Sequence, residues 1–180
     1  MTTYLAFLRG INVGGRALVS MSDLREMLGA LGLAEPRSLL ASGNLLFRSR
    51  GGSPEKLEQR LEIETHKRLG LRPDYFVRSA EEWARVLSRN PFGKEAERDP
   101  GHLIVLLLKK APGVAQIEAL RGAIVGREVF HGDGRHAYVV YPDGMGRSKL
   151  TNAAIEKALG TRATARNWNT ARKLGALAGV

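Results

Sequence analysis

The sequence predicts an α+β fold of two tandem halves, each ordered strand, helix, strand, strand, helix, strand (βαββαβ), with a C-terminal helix. Three observations lead there. Short apolar runs of strand length alternate with longer segments of helical period. The order of these runs over residues 1–78 returns over residues 103–180. Finally, 43% hydrophobic content in 180 residues suffices for a core in each half.

In the first half, residues 4–8 (YLAFL) form a continuous apolar run expected of a buried strand, and they lead into the Gly-rich segment RGINVGGR at residues 9–16. Ser22 is the expected N-cap of a helix in which Leu24, Met27, Leu28 and Leu31 recur at i, i+3, i+4 and i+7, ending near Gly32. Two strands follow at residues 37–41 and 44–48, joined at Ser42 and Gly43. Ser53 and Pro54 open a second helix to about Leu69, with proline at the position where its missing N–H costs nothing. Residues 75–78 close the half as a strand, completing the split βαβ order of ferredoxin-like domains.

Ser79 and Glu82 then make a capping box for a short helix carrying Trp83, Val86 and Leu87, which Asn90-Pro91 ends. Residues 90–102 read as a loop, so 79–102 connects the halves. In the second half residues 103–108 (LIVLLL) are a strand; Ile117, Leu120 and Ile124 mark a helix; residues 128–130 are a strand; and Gly132-Asp133-Gly134 turns the chain into residues 137–141. A helix around Ile155, Ala158 and Leu159 precedes a short last strand at 163–168. No residue-level identity links the halves, and the repeat rests on element order alone. Because residues 4–8 and 103–108 are apolar at successive positions, both faces of each sheet are expected to be covered.

A net charge of +10 favours anionic partners: nucleic acid, a nucleotide, a phosphorylated metabolite or an acidic protein. The charge gathers at the ends. Residues 147–173 hold Arg147, Lys149, Lys157, Arg162, Arg166, Arg172 and Lys173 against Glu156, and residues 1–21 hold Arg9 and Arg16 with no acid. Charged residues at 26% exclude wholesale disorder, and the absence of cysteine excludes disulfides and thiol chemistry. His66, His102, His131 and His136 form no ligand pattern, so no metal is expected, and surface or loop placement is the expectation for them. Acid pairs such as Glu62/Glu64 are expected on solvated helix faces. No apolar run is long enough for a membrane helix and the N-terminus lacks signal-peptide character, so a cytoplasmic protein is expected.

Three segments qualify as binding loops. RGINVGGR places Gly10, Gly14 and Gly15 with Asn12 between a strand and a helix, flanked by Arg9 and Arg16, although it matches neither a P-loop nor G-x-G-x-x-G. Ser42-Gly43-Asn44 consists of ordinary turn residues. Residues 143–151 (DGMGRSKLT) set Arg147 and Lys149 before a helix capped by Thr151. The tetrapeptide at 166–169 adds Arg166, Asn167, Trp168 and Asn169, followed by Thr170. Arg supplies a fork of donors and Trp a stacking face, while Asn169 or Thr170 also suits the N-cap of the C-terminal helix and Trp168 suits a core.

With RGINVGG at 9–15, SGN at 42–44 and LGTRATARNWNT at 159–170, the chain resembles the bacterial family known as domain of unknown function 1697, from first strand to last helix. The resemblance implies two ferredoxin-like halves in tandem and marks these segments as hallmarks, without implying a catalytic role. The expected function is binding of an anionic small molecule or nucleic acid through loops 9–16, 42–44 and 147–170. The alternatives are a small enzyme acting on a phosphorylated or carboxylated substrate, and a structural or protein-interaction module in which the motifs lock the halves. RNA binding on an open sheet is disfavoured, since residues 42–49 offer only Phe47 where that mode needs several aromatics.

Overall fold

The structure, a computed structural model, describes residues 1–11 and 19–180. The first half contains β1 (Thr2–Arg9), α1 (Met21–Ala30), β2 (Ala34–Leu39), β3 (Asn44–Ser49), α2 (Pro54–Leu69) and β4 (Asp74–Ser79). α3 (Ala80–Ser88) and α4 (Gly93–Arg98) follow. The second half contains β5 (Leu103–Leu108), α5 (Val114–Ala123), β6 (Val129–Asp133), β7 (His136–Val140), α6 (Asn152–Leu159) and β8 (Ala163–Asn167), and α7 (Trp168–Ala178) ends the chain. The strands form two four-stranded antiparallel sheets, ordered β2-β3-β1-β4 and β6-β7-β5-β8. Two compact units result: Met1–Arg85 with Leu174–Val180, and Val86–Lys173.

Local signals set most boundaries. Ser53 caps α2, its hydroxyl accepting from the Lys56 amide at 3.3 Å, with Pro54 in the first turn and Gly70 closing the helix at φ 68°. The Ser79/Glu82 capping box is present in both directions: Ser79 N donates to Glu82 Oε2 at 2.7 Å, and Glu82 N to Ser79 Oγ at 3.1 Å. Several expectations need correction. Ser20, not Ser22, caps α1 by accepting from Asp23 N at 3.0 Å, so the helix starts early enough for Asp23 to sit in its positive first turn. Residues 90–102 are not all loop; α4 is a short polar helix without an apolar face to announce it. β2 ends at Leu39, ahead of the predicted 41. β6 begins at Val129 and runs through Asp133, so the hairpin turns on Gly134 and Arg135, with Gly134 at φ 60°. His131 and His136 lie half-buried on β6 and β7, not in loops.

β4 and β8 are edge strands, and helix carboxylates cap their outward amides. Glu62 Oε1 accepts from Tyr75 N at 2.9 Å and Glu58 Oε1 from Val77 N at 2.8 Å; in the second half Glu156 Oε1 accepts from Ala163 N at 2.8 Å. Each bond satisfies an amide that would otherwise offer itself to another strand. Glu62 is therefore part of the fold and not merely a solvated acid.

The register reveals residue-level correspondence that reading the sequence misses. Leu5 faces Arg78 as Val105 faces Arg166, and Phe7 faces Asn44 as Leu107 faces His136. Leu8 N donates to Gly43 O at 2.9 Å, and Leu108 N to Arg135 O at 2.9 Å. Arg78 and Arg166 each donate from Nη1 to the carbonyl of the preceding residue at 2.7 Å. Arg78/Arg166, Leu8/Leu108 and Glu62/Glu156 are thus identities at equivalent positions.

Both faces of β1 and β5, which lie inside their sheets, are withdrawn from water, as their composition predicts. On the helix-covered faces Tyr4, Ala6, Leu8 and Val77 pack with Leu24, Leu28, Leu57 and Leu61, and Leu106, Leu108 and Val139 pack with Ile155 and Leu159. On the opposite faces Leu5, Phe7, Phe76, Val105, Leu107 and Tyr138 are also fully buried. Trp83 of α3 covers part of the first of these, its ring centre 5.0 Å from that of Phe7.

Candidate functional site

One end of each sheet gathers the loop after its first strand, the hairpin turn and the approach to its last strand. In the first half this end holds Arg9, Gly10 and the Ser42-Gly43-Asn44 turn. Arg9 closes β1 opposite Asp74, and their side chains pair at 3.2 Å. The Ser42-Gly43-Asn44 turn packs directly beside it: Asn44 is fully buried and donates from Nδ2 to Leu39 O at 2.9 Å and to Ser42 Oγ at 3.0 Å. Gly43 has φ 77°, and a Cβ there would lie 2.9 Å from both Ile11 Cδ1 and Leu8 Cβ. Glycine is required by contact as well as by dihedral. Gly10 also has positive φ, at 83°. Asn12, Gly14, Gly15 and Arg16 lie outside the described residues.

The same end of the second sheet has opposite electrostatics. Lys109 follows β5 where Arg9 ends β1, and its amide donates to the Arg162 carbonyl at 3.0 Å, which sets Arg162 at the position Asp74 holds in the first half. Lys110 N donates to Thr161 Oγ1 at 3.0 Å. Gly160, in the left-handed conformation at φ 63°, turns the chain out of α6 toward β8. A cleft of about 560 Å³ opens here, lined by Lys109, Lys110, Ala153, Glu156, Lys157, Gly160, Thr161 and Arg162. Four cations face one carboxylate, and that carboxylate, Glu156, is engaged by Ala163 N and by Asn152 Nδ2 at 3.3 Å. Lys157 additionally complements the negative end of α6.

The remaining predicted residues occupy the opposite end of this sheet. Arg166, 9% exposed, donates from Nη1 to Thr164 Oγ1 at 2.9 Å and to Ala165 O. Burial pushes its pKa down to about 10, which leaves the guanidinium charged at neutral pH. Asn167 is the N-cap of α7, its Oδ1 accepting from Thr170 N at 2.9 Å; this corrects the assignment of the cap to Asn169 or Thr170. Trp168 is buried at 6% exposure and its amide donates to Pro100 O at 3.2 Å, whereas Asn169 is exposed. Arg147, in a 3-10 turn (Met145–Arg147), and Lys149 are exposed. Around them Ser148 bonds Glu128, whose carboxyl it holds below the ordinary range, and Arg127 pairs with Asp143, each shifting the other toward its charged form. Thr151 caps α6 as expected, accepting from Ala154 N at 3.1 Å.

Six of the eight residues lining the cleft, Ala153, Glu156, Lys157, Gly160, Thr161 and Arg162, fall within the predicted segment 147–170, but none of the individually named site candidates among the described residues lines it. Since β8 runs from Ala163 to Asn167, the cleft and the Arg166–Asn169 tetrapeptide lie roughly 15 Å apart at opposite ends of one strand. The residues that sequence reasoning missed are Lys109 and Lys110. Their local signal is a Lys-Lys pair directly after an apolar strand, and only the strand register brings it to Arg162.

Among the described residues no group of three or more His, Cys, Asp or Glu is placed to hold a metal ion, and no helix is long and apolar enough to cross a membrane. The architecture is mixed α+β: two four-stranded antiparallel sheets with seven α-helices among the described residues. A family model described as a protein of unknown function, DUF1697, matches residues 1–138, and the chain belongs to that family. The match ends inside β7, short of the 159–170 segment. Similarity continues past it in a solved structure, that of the conserved bacterial protein SP0830 from Streptococcus pneumoniae, which is 26% identical with a TM-score of 0.77 over 98% of each chain. No curated protein matches the chain.

Proposed function

We propose that the chain is a tandem of two ferredoxin-like halves that binds an anionic ligand in the basic cleft at the end of its second sheet. The observation that carries the reading is the contrast between equivalent positions. The first half neutralises its sheet end with Arg9 and Asp74, whereas the second sets Lys109 beside Arg162. Lys109 and Arg162 make further interactions, yet with one carboxylate, Glu156, against four cations in its lining the cleft keeps a positive excess. Lys110 and Lys157 line the same cleft, and the focused potential attracts an anion.

The lining chemistry favours binding over catalysis. The hydroxyl and the carboxylate that line it, Thr161 and Glu156, are both engaged by backbone amides, of Lys110 and Ala163 respectively. The Arg166–Asn169 tetrapeptide belongs in this reading to the fold, tying β8 to α7. The test is calorimetric titration with pyrophosphate at low salt, for the natural protein and for Arg162→Asp. That substitution gives the second half the acid that the first half carries at Asp74, so folding should survive. Affinity should fall by about ten-fold or more. Unchanged affinity in Arg162→Asp, or no binding by the natural protein, overturns the proposal.

A further inference from the structure

We infer that the ligand of this cleft is a polyphosphate-type anion, with two or more linked phosphoryl groups held by charge and with no nucleobase stacked beside them. The inference rests on the anion-binding reading above and narrows it by the chemistry of the lining.

The cations come from three segments: Lys109 and Lys110 after β5, Lys157 in the last turn of α6, and Arg162 at the entry to β8. They therefore line the cleft from three segments of the chain and not from a single loop. A phosphate monoester carries about −1.5 to −2 at neutral pH and presents three oxygens in one place. Four cations distributed around about 560 Å³ match a longer anion whose charge is spread along a chain. Three of the four are lysines, compact point charges on flexible stems that adapt to successive phosphoryl groups, while Arg162 supplies one forked contact.

Among the described residues no Phe, Tyr, Trp or His lines the cleft. Proteins hold bases mainly by stacking them on such rings and by bonding their edges. Besides the four cations the lining offers two polar side chains for edge recognition, Thr161 and Glu156. Thr161 already receives the Lys110 amide, and Glu156 already receives that of Ala163. Charge is thus the main recognition available. The four cations gather on one cleft, which favours a small anion over a nucleic-acid strand, whose binding calls for an extended basic track with aromatic platforms.

The experiment is a calorimetric series on the full chain at low salt: orthophosphate, pyrophosphate, tripolyphosphate, ATP and a short thymidine oligonucleotide, each repeated on Arg162→Asp. The expected order places tripolyphosphate about ten-fold or more tighter than orthophosphate and within about three-fold of ATP, because the adenosine adds no contact. ATP or the oligonucleotide binding about ten-fold tighter than tripolyphosphate, or orthophosphate equalling it, overturns this inference while leaving anion binding intact. Absence of binding throughout the series, or binding indifferent to Arg162→Asp, defeats the anion reading itself and this inference with it.

Discussion

The Lys109 amide donates to the Arg162 carbonyl at 3.0 Å, so that two cationic residues stand side by side at the end of the second sheet. At the equivalent place in the first sheet Arg9 faces Asp74, and their side chains form an ion pair. The backbone geometry is shared and the charge pattern is not. The two halves share the ladder and differ in the charges set at its end.

Glu156 is the carboxylate lining this cleft, and its backbone role separates from its charge. Glu156→Gln keeps an oxygen for the Ala163 amide and removes the negative charge. Pyrophosphate should bind about three- to ten-fold tighter in calorimetry, with little change in stability. Weaker binding would show that the carboxylate contributes to the site directly.

Gly43 is held to glycine by two neighbours. With φ 77° and contacts of 2.9 Å awaiting any Cβ, Gly43→Ala strains the backbone and forces Leu8 or Ile11 to move. Urea denaturation should show a loss of about 2–3 kcal/mol. A loss below about 0.5 kcal/mol would mean that the turn does not require its left-handed glycine.

Arg166 tests whether the tetrapeptide serves the fold. Arg166→Ala removes the donor to Thr164 and Ala165 and leaves a void, costing about 2–4 kcal/mol. Arg166→Met should recover much of that loss, since an apolar chain of similar length fills the space without the cost of burying a charge. Pyrophosphate affinity should stay within about two-fold in Arg166→Met. Intact stability with lost affinity would return the tetrapeptide to the ligand.

Stability should fall in alkali. Burial pushes the phenols of Tyr75 and Tyr141 up to about 12, and that of Tyr138 upward as well. In the unfolded chain these groups titrate near 10. The folded state thus favours the neutral phenols, a contribution complete below pH 10 and lost as pH rises from 10 through about 12. Denaturant midpoints should be flat below pH 10 and fall above it as tyrosinate absorbance rises. A flat profile through pH 12 would contradict the burial of these rings.

Where structure is decided locally, the sequence guided most of the reading, although α1 and α7 take their caps from Ser20 and Asn167, earlier residues than expected. Ser53-Pro54, Ser79 with Glu82, and Thr151 act on amides within three residues, and all three caps are formed. α4 escaped notice because Gly93–Arg98 has no apolar face to produce a period. The site was less legible for a different reason. The Arg-Asn-Trp-Asn composition suggests a ligand, yet Asn167 spends its side chain on a helix cap, and Arg166 and Trp168 are buried. Lys109 carries no motif, and Arg162, although within the 159–170 hallmark, becomes its neighbour only once β5 and β8 pair in register.

The location of the ligand is the central claim, and amide chemical-shift mapping during a pyrophosphate titration tests it most directly. The largest shifts should fall on Lys109, Lys110, Lys157, Thr161 and Arg162. Shifts concentrated instead on Arg9, residues 42–44 or the Trp168 indole, with the amides of the cleft unmoved, would contradict the account.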